Sequence, residues 1–192
     1  MPDKILEIRW HGRGGQGVKT AAMLFAEAAF EGGKFIQGFS DYGPERSGAP
    51  IQGFTRLSDS PITLHNFITS PDVVVVLDPT LIGNVAVTEG LKPGGKVLIN
   101  TSRDPAELAP KLGVEKDQVY VVDAKKISLE MMGRDMPNAP MIGALVKVIG
   151  QVELPWVNRT FDEKFGAKSK KVVADNVAAI KRAFDEVRGA DA

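Results

Sequence analysis

The chain opens with a strand that runs straight into a glycine loop and from there straight into a helix. Lys4–Trp10 sets Ile5, Leu6, Ile8 and Trp10 among polar residues and reads as a strand. The loop His11-Gly12-Arg13-Gly14-Gly15-Gln16-Gly17 follows. Val18–Phe30 then carries Ala22, Phe25, Ala26, Ala29 and Phe30 at helical spacing and stops at Gly32-Gly33. Lys34–Phe39 is a second short strand. Strand, loop, helix and strand in this order form the βαβ unit of a parallel sheet, which restricts the chain to the α/β class.

Gly12-x-Gly14-x-x-Gly17 matches the dinucleotide fingerprint in its required context, after a strand and before a helix. Glycines allow a sharp turn and close approach to an anion, while the free amides of the helix start point at it. Arg9, Arg13 and Lys19 fall between Ile8 and Ala26, a stretch without an acidic residue. Asp41, 24 positions beyond Gly17, stands near the place of a ribose-binding carboxylate. The P-loop pattern fails, because Lys19-Thr20 comes one position late and about 100° of helix rotation carries the lysine off target. Three readings stay open: a dinucleotide, another anion or a subunit contact, or plain strand-to-helix packing.

Farther along, Ser40–Pro50 is dense in turn formers and reads as an irregular loop. Ile51–Leu57 and Pro61–His65 suggest an antiparallel hairpin around Ser58-Asp59-Ser60. The valines of Asp72–Leu77 suit a central strand buried on both faces. Asp78-Pro79 should open a helix reaching about Glu89. Lys96–Asn100 and Gln118–Val122 read as strands, the second leading into a helix near Ala124–Met132. Helices fill the remainder, from about 139 to 188. The expected architecture is a three-layer α/β/α domain with a mostly parallel sheet, an antiparallel hairpin insert and C-terminal helices. At 192 residues it fits one domain.

Composition removes whole classes of function. The chain has no cysteine, which excludes disulfides, thiolate nucleophiles, zinc-thiolate sites and iron–sulfur clusters held by it. Two histidines make a histidine-rich metal site improbable. Lys plus Arg and Asp plus Glu are each 24, so the basic excess of a nucleic-acid binder is missing. Apolar runs such as Val73 to Leu77 fall far short of the ~20 residues that span a bilayer. The N-terminal residues carry charge where an export signal places its apolar core, so a cytoplasmic location is expected.

Four ordered blocks then point to a family. They are Glu7–Gly17, Asp41–Pro50 (Asp-Tyr-Gly-Pro-Glu-Arg-Ser-Gly-Ala-Pro), Pro71–Asp78 and Pro137–Leu145. Together they resemble the gamma subunits of pyruvate:ferredoxin oxidoreductases, within the wider 2-oxoacid:ferredoxin oxidoreductase family, over approximately residues 4–188. The resemblance implies a subunit of a complex that oxidatively decarboxylates pyruvate to acetyl-coenzyme A, CO2 and reduced ferredoxin, and that also runs as a synthase. The implied partners are the alpha, beta and delta subunits, with ferredoxin met through the complex. Thiamine diphosphate, Mg2+ and [4Fe–4S] clusters would belong to those partners, and coenzyme A would be the co-substrate. Nothing in this sequence resembles the Gly-Asp-Gly run with a later Asn that anchors thiamine diphosphate. No cofactor is therefore expected on this chain alone, and no activity from it alone. The alternative is a stand-alone Rossmann-type NAD(P)-binding dehydrogenase or sensor.

On that resemblance, Gly12, Arg13, Gly14, Gly15, Gln16 and Gly17 are expected to approach a coenzyme A phosphate or to dock a neighbouring subunit. Tyr42, Glu45, Arg46 and Ser47 are expected at an interface or substrate channel, in a loop restrained by Pro44, Gly48 and Pro50. None of these is expected to be catalytic, and no metal ligand is proposed. Trp10 reads as core, and His11 as either an anion contact or a structural hydrogen-bonding residue. Met141 and Leu145 share one face of a helix and suit ordinary packing. Lys168, Lys170 and Lys171 precede Asp175, Asp185 and Glu186 and suit a solvated face.

Overall fold

The computed structural model describes residues 5–40, 48–167 and 169–189. Its elements are β1 (Leu6–Arg13), α1 (Val18–Glu31), β2 (Phe35–Ser40), β3 (Pro50–Ser58), β4 (Val73–Val76), β5 (Lys96–Asn100), α2 (Pro105–Leu112), β6 (Val119–Val122), α3 (Ala124–Met132), α4 (Asn138–Ile149), α5 (Leu154–Phe165) and α6 (Lys170–Glu186). The strands form one six-stranded sheet in the order β2-β3-β1-β4-β5-β6. β1, β4, β5 and β6 are parallel neighbours, whereas β3 runs antiparallel to both β1 and β2.

The alternation of β4 shows how the layers are divided. Val73 and Val75 pack into one apolar cluster, Val74 and Val76 into another, and all four are buried. The first cluster is large and takes in α1, α3, α4, α5 and α6 against Ile8, Trp10 and Leu98. The second holds only α2 and parts of the segment between β4 and β5. The α/β/α layering is therefore present but uneven. Trp10 anchors the thick side: its ring meets Phe25 edge-on at 5.9 Å, and its Nε1 donates to Thr55 Oγ1 at 3.0 Å. Gly143 lets α4 reach α6 backbone to backbone, since a Cβ there would sit 2.0 Å from the Ile180 carbonyl oxygen.

Two expectations from sequence need correction. Pro61–His65 is not a strand; Ile51–Leu57 instead pairs with β2 on one side and β1 on the other. The antiparallel insert exists, but it is made by β2 and β3. The helix expected from Asp78 to Glu89 stops after one 3-10 turn, Pro79–Leu81. The local start signal was sound, because the Asp78 carboxylate accepts from the Thr80 amide at 2.9 Å with proline in the first position. Gly83 then adopts φ +87, which helical backbone does not allow. Further on, Arg9 Nη2 donates to the carbonyls of Val87 (3.0 Å) and Glu89 (2.5 Å), so these oxygens are satisfied without a helix. Among the described residues no helix is long and apolar enough to cross a membrane.

Candidate functional site

The chain leaves the C-terminal ends of β1 and β4 in opposite directions, β1 toward α1 and β2, β4 toward β5. In open α/β sheets this divergence marks the usual ligand crevice. Here it is occupied by the glycine loop from one side and Asp78 and Thr80 from the other.

Three of the four loop glycines have distinct surroundings. A Cβ on Gly12 would lie 2.5 Å from Val18 Cγ2, so this position serves strand-to-helix packing. Gly17 is left-handed at φ +76 and caps α1, with the Asn138 side chain 2.9 Å from where a Cβ would stand. Gly15, at φ +96, is exposed and has open space around it.

Gln16 closes the turn. Its Oε1 accepts from the Arg13 amide at 2.8 Å, and its Nε2 donates to Asp78 Oδ2 at 2.8 Å. Arg13 is held by the same carboxylate, Nε to Oδ2 at 3.2 Å, and donates from Nη2 to Thr80 Oγ1 at 3.1 Å and from Nη1 to the Gly48 carbonyl at 3.1 Å. The Thr80 hydroxyl in turn donates to Asp78 Oδ1 at 2.6 Å. Burial alone would raise the Asp78 carboxyl. The hydrogen bonds from Thr80 and Gln16, with the Arg13 charge, outweigh it and hold the group below the ordinary carboxylate range.

These bonds limit what the loop offers an anion. The Gly14 amide donates to the Ala49 carbonyl (3.0 Å), the Gln16 amide to the Arg13 carbonyl (3.1 Å), and the guanidinium is paired. Among the described residues, Gly15 is the exposed part of the turn. The start of α1 has no side-chain cap and no acid in its first turn.

The structure thus brings Gly12, Arg13, Gly14, Gly15, Gln16 and Gly17 together as one turn, and adds Asp78, Thr80 and Asn138, which the sequence reading did not assign to it. The signal available for Asp78 and Thr80 was their position just past the valine strand, at the same sheet edge as the glycines. Tyr42, Glu45, Arg46 and Ser47 lie outside the described residues, as do Asp41 and Lys168.

His11 is not at the loop's ligand side. It is buried on the thinly covered face and its Nε2 accepts from Arg9 Nε at 3.0 Å. Burial, then the neighbouring Arg9 charge, lower its pKa to about 4 despite an opposing bond with Val87. Met141 and Leu145 are fully buried core. Among the described residues no cluster of three or more His, Asp or Glu could hold a metal ion, and with no cysteine in the chain the residues present do not fit an iron–sulfur cluster.

Comparison with known proteins covers nearly the whole chain. Residues 7–186 match the family model described as pyruvate ferredoxin/flavodoxin oxidoreductase. The pyruvate synthase subunit PorC of Thermotoga maritima is 44% identical over 186 residues, 96% of each chain. The pyruvate/ketoisovalerate oxidoreductases common subunit gamma of Thermococcus kodakarensis is 45% identical over 183 residues, 95% of this chain and 97% of that one. The crystal structure of the Thermotoga maritima pyruvate oxidoreductase subunit superposes with a TM-score of 0.85 at 41% identity, covering 96% of this chain and 98% of that one. None of these is named as a stand-alone nicotinamide dehydrogenase, and that alternative gains no support from them.

Proposed function

The chain belongs to the pyruvate ferredoxin/flavodoxin oxidoreductase family, and from that membership we propose that it is the gamma-type subunit of a multi-subunit pyruvate (2-oxoacid):ferredoxin oxidoreductase. The observation that carries this reading is the end-to-end match: 44% identity over 96% of both chains, on the same fold. Residues 1–192 form one gamma-type domain in this proposal, working in the cytoplasm with alpha, beta and delta subunits that pass electrons to ferredoxin. Thiamine diphosphate, Mg2+ and [4Fe–4S] clusters sit on those partners. A chain without cysteine fits that division, because it has no thiolate with which to hold a cluster.

The chain itself contributes assembly and the coenzyme A or substrate region, without a catalytic group of its own. Its glycine-loop end, Gly12–Gly17 with Arg13 fixed by Asp78, faces either a coenzyme A phosphate or a neighbouring subunit. Tyr42, Glu45, Arg46 and Ser47 are assigned to the same interface or substrate channel. Substrate choice lies with the partners. In support, the Thermococcus relative is named as a gamma subunit common to pyruvate and ketoisovalerate oxidoreductases.

The test is anaerobic purification of the chain at native level with everything that accompanies it. Stoichiometric partner chains, brown colour and bound thiamine diphosphate are expected, together with 2-oxoacid-dependent ferredoxin reduction that pyruvate supports best. A chain recovered alone and colourless overturns the reading. Within an active complex, Gly15→Val should raise the KM for coenzyme A or weaken assembly; no change in either removes the glycine loop from the site.

A further inference from the structure

The two edges of the sheet are treated differently. At the β6 edge the chain returns to make one antiparallel bridge: Val121 N donates to the Arg188 carbonyl at 2.8 Å and Arg188 N to the Val121 carbonyl at 2.9 Å. Arg188 Nη2 anchors that return to the Ser102 carbonyl at 3.2 Å, and a Cβ on Gly189 would sit 2.8 Å from Tyr120 Cε1. At the β2 edge the described residues supply no such cover. Among the described residues, no backbone group pairs with the side of β2 away from β3.

Proteins blunt an exposed edge strand with charge, proline, a bulge or a covering segment, because unpaired N–H and C=O groups template the pairing of another strand. β2 has none of the first three. Its sequence Phe-Ile-Gln-Gly-Phe-Ser carries no charge and no proline, and it pairs with β3 in unbroken register over six residues. Along the face shared by Phe35, Gln37 and Phe39, the molecule also exposes apolar side chains: Phe35 (46%), Leu64 (40%) and Phe67 (52%). Leu64 and Phe67 are tied to the sheet. Gln37 Nε2 donates to the Leu64 carbonyl at 2.8 Å, and Phe67 packs on Phe54 at 5.5 Å and on Phe39 at 6.3 Å between ring centres.

Size separates the candidate occupants. A six-residue edge with three half-exposed side chains presents roughly 400 Å2, about half of what each partner buries in a free-standing protein pair. That is too little for two copies of this chain alone and suits one strip of a larger, permanent interface. Resting on the multi-subunit reading above, we propose that a neighbouring subunit of the assembled oxidoreductase adds an extended, uncharged strand to the free edge of β2, with Phe35, Leu64 and Phe67 receiving its apolar side chains. Ladder hydrogen bonds supply affinity in such an addition, and alternate side chains supply specificity.

Hydrogen exchange on the purified complex, compared with the full chain alone, tests this. The β2 amides are expected to exchange at least about tenfold more slowly in the complex, as pairing of an open edge requires. Phe35→Lys combined with Phe67→Lys should lower recovery of the complex by about tenfold or more, while the circular dichroism and melting of the chain alone stay as in wild type. If the double variant fails to fold, the exchange measurement on the wild-type complex decides. A complex that forms with β2 exchange unchanged overturns the proposal and leaves the gamma-subunit reading standing. Protection of β2 through concentration-dependent dimers of the chain alone overturns it in favour of a second copy. Failure of the wild-type chain to join any co-expressed partner overturns both.

Discussion

Gln16 and Asp78, 62 residues apart in sequence, meet at 2.8 Å and tie the end of β1 to the end of β4. The bond matters because Gln16 also holds the Arg13 amide and Asp78 also holds the Arg13 guanidinium, so one carboxylate sets the shape and the charge of the glycine turn.

Asp78→Ala should destabilise the chain by about 1–3 kcal/mol, because it removes a buried charged acceptor that holds Gln16, Arg13 and Thr80. Asp78→Asn should do less at neutral pH. The wild-type carboxyl is held below its ordinary range, so its contribution is present above about pH 4 and disappears as the pH falls through the folded-state value. Urea unfolding of wild type and Asp78→Asn at pH 7 and pH 3 should show a gap that narrows at the lower pH.

His11 gives a second pH signature. Its folded pKa of about 4 lies below the unfolded value, so the folded chain is penalised progressively as the pH drops below about 6.5, and the effect levels off near 4. The size is on the order of 3 kcal/mol across that window. His11→Gln keeps an acceptor for Arg9 and should flatten the stability profile between pH 6.5 and 4.5. An NMR titration should find the His11 ring still neutral at pH 5.

Three of the four loop glycines should separate by cause. Gly12→Ala drives a methyl into Val18, and Gly17→Ala combines a left-handed backbone with contact on Asn138, so each should lower stability by about 1–3 kcal/mol. Gly15→Ala meets nothing, and only its positive φ costs about 1–2 kcal/mol. Thermal melts of the three variants, followed by coenzyme A kinetics in the complex, distinguish a packing glycine from one that faces a ligand.

Local patterns in this chain were readable where one short-range signal decides the outcome. The strand–loop–helix opening, the valine strand buried on both faces, the helix Ala124–Met132 and the C-terminal helix all emerged from periodicity and punctuation. What escaped depends on distant partners. Nothing near Ile51–Leu57 says that it inserts beside β1 rather than folding back on Pro61–His65. Nothing near Asp78 says that Arg9 will claim the carbonyls of Val87 and Glu89 and make a helix there unnecessary. The site divides in the same way: glycines announce a turn, but the carboxylate that fixes it comes from another strand.

The placement of β3 has a consequence for how the molecule assembles. β1 and β2 are joined through α1, yet they are not neighbours; the gap between them is one strand wide, and β3 fills it while running the opposite way. Residues 5–40 therefore leave a vacant row of hydrogen-bonding groups on both flanks until residues 50–58 arrive to satisfy them. Any opening that releases β3 exposes a flank of both β1 and β2 on the same occasion.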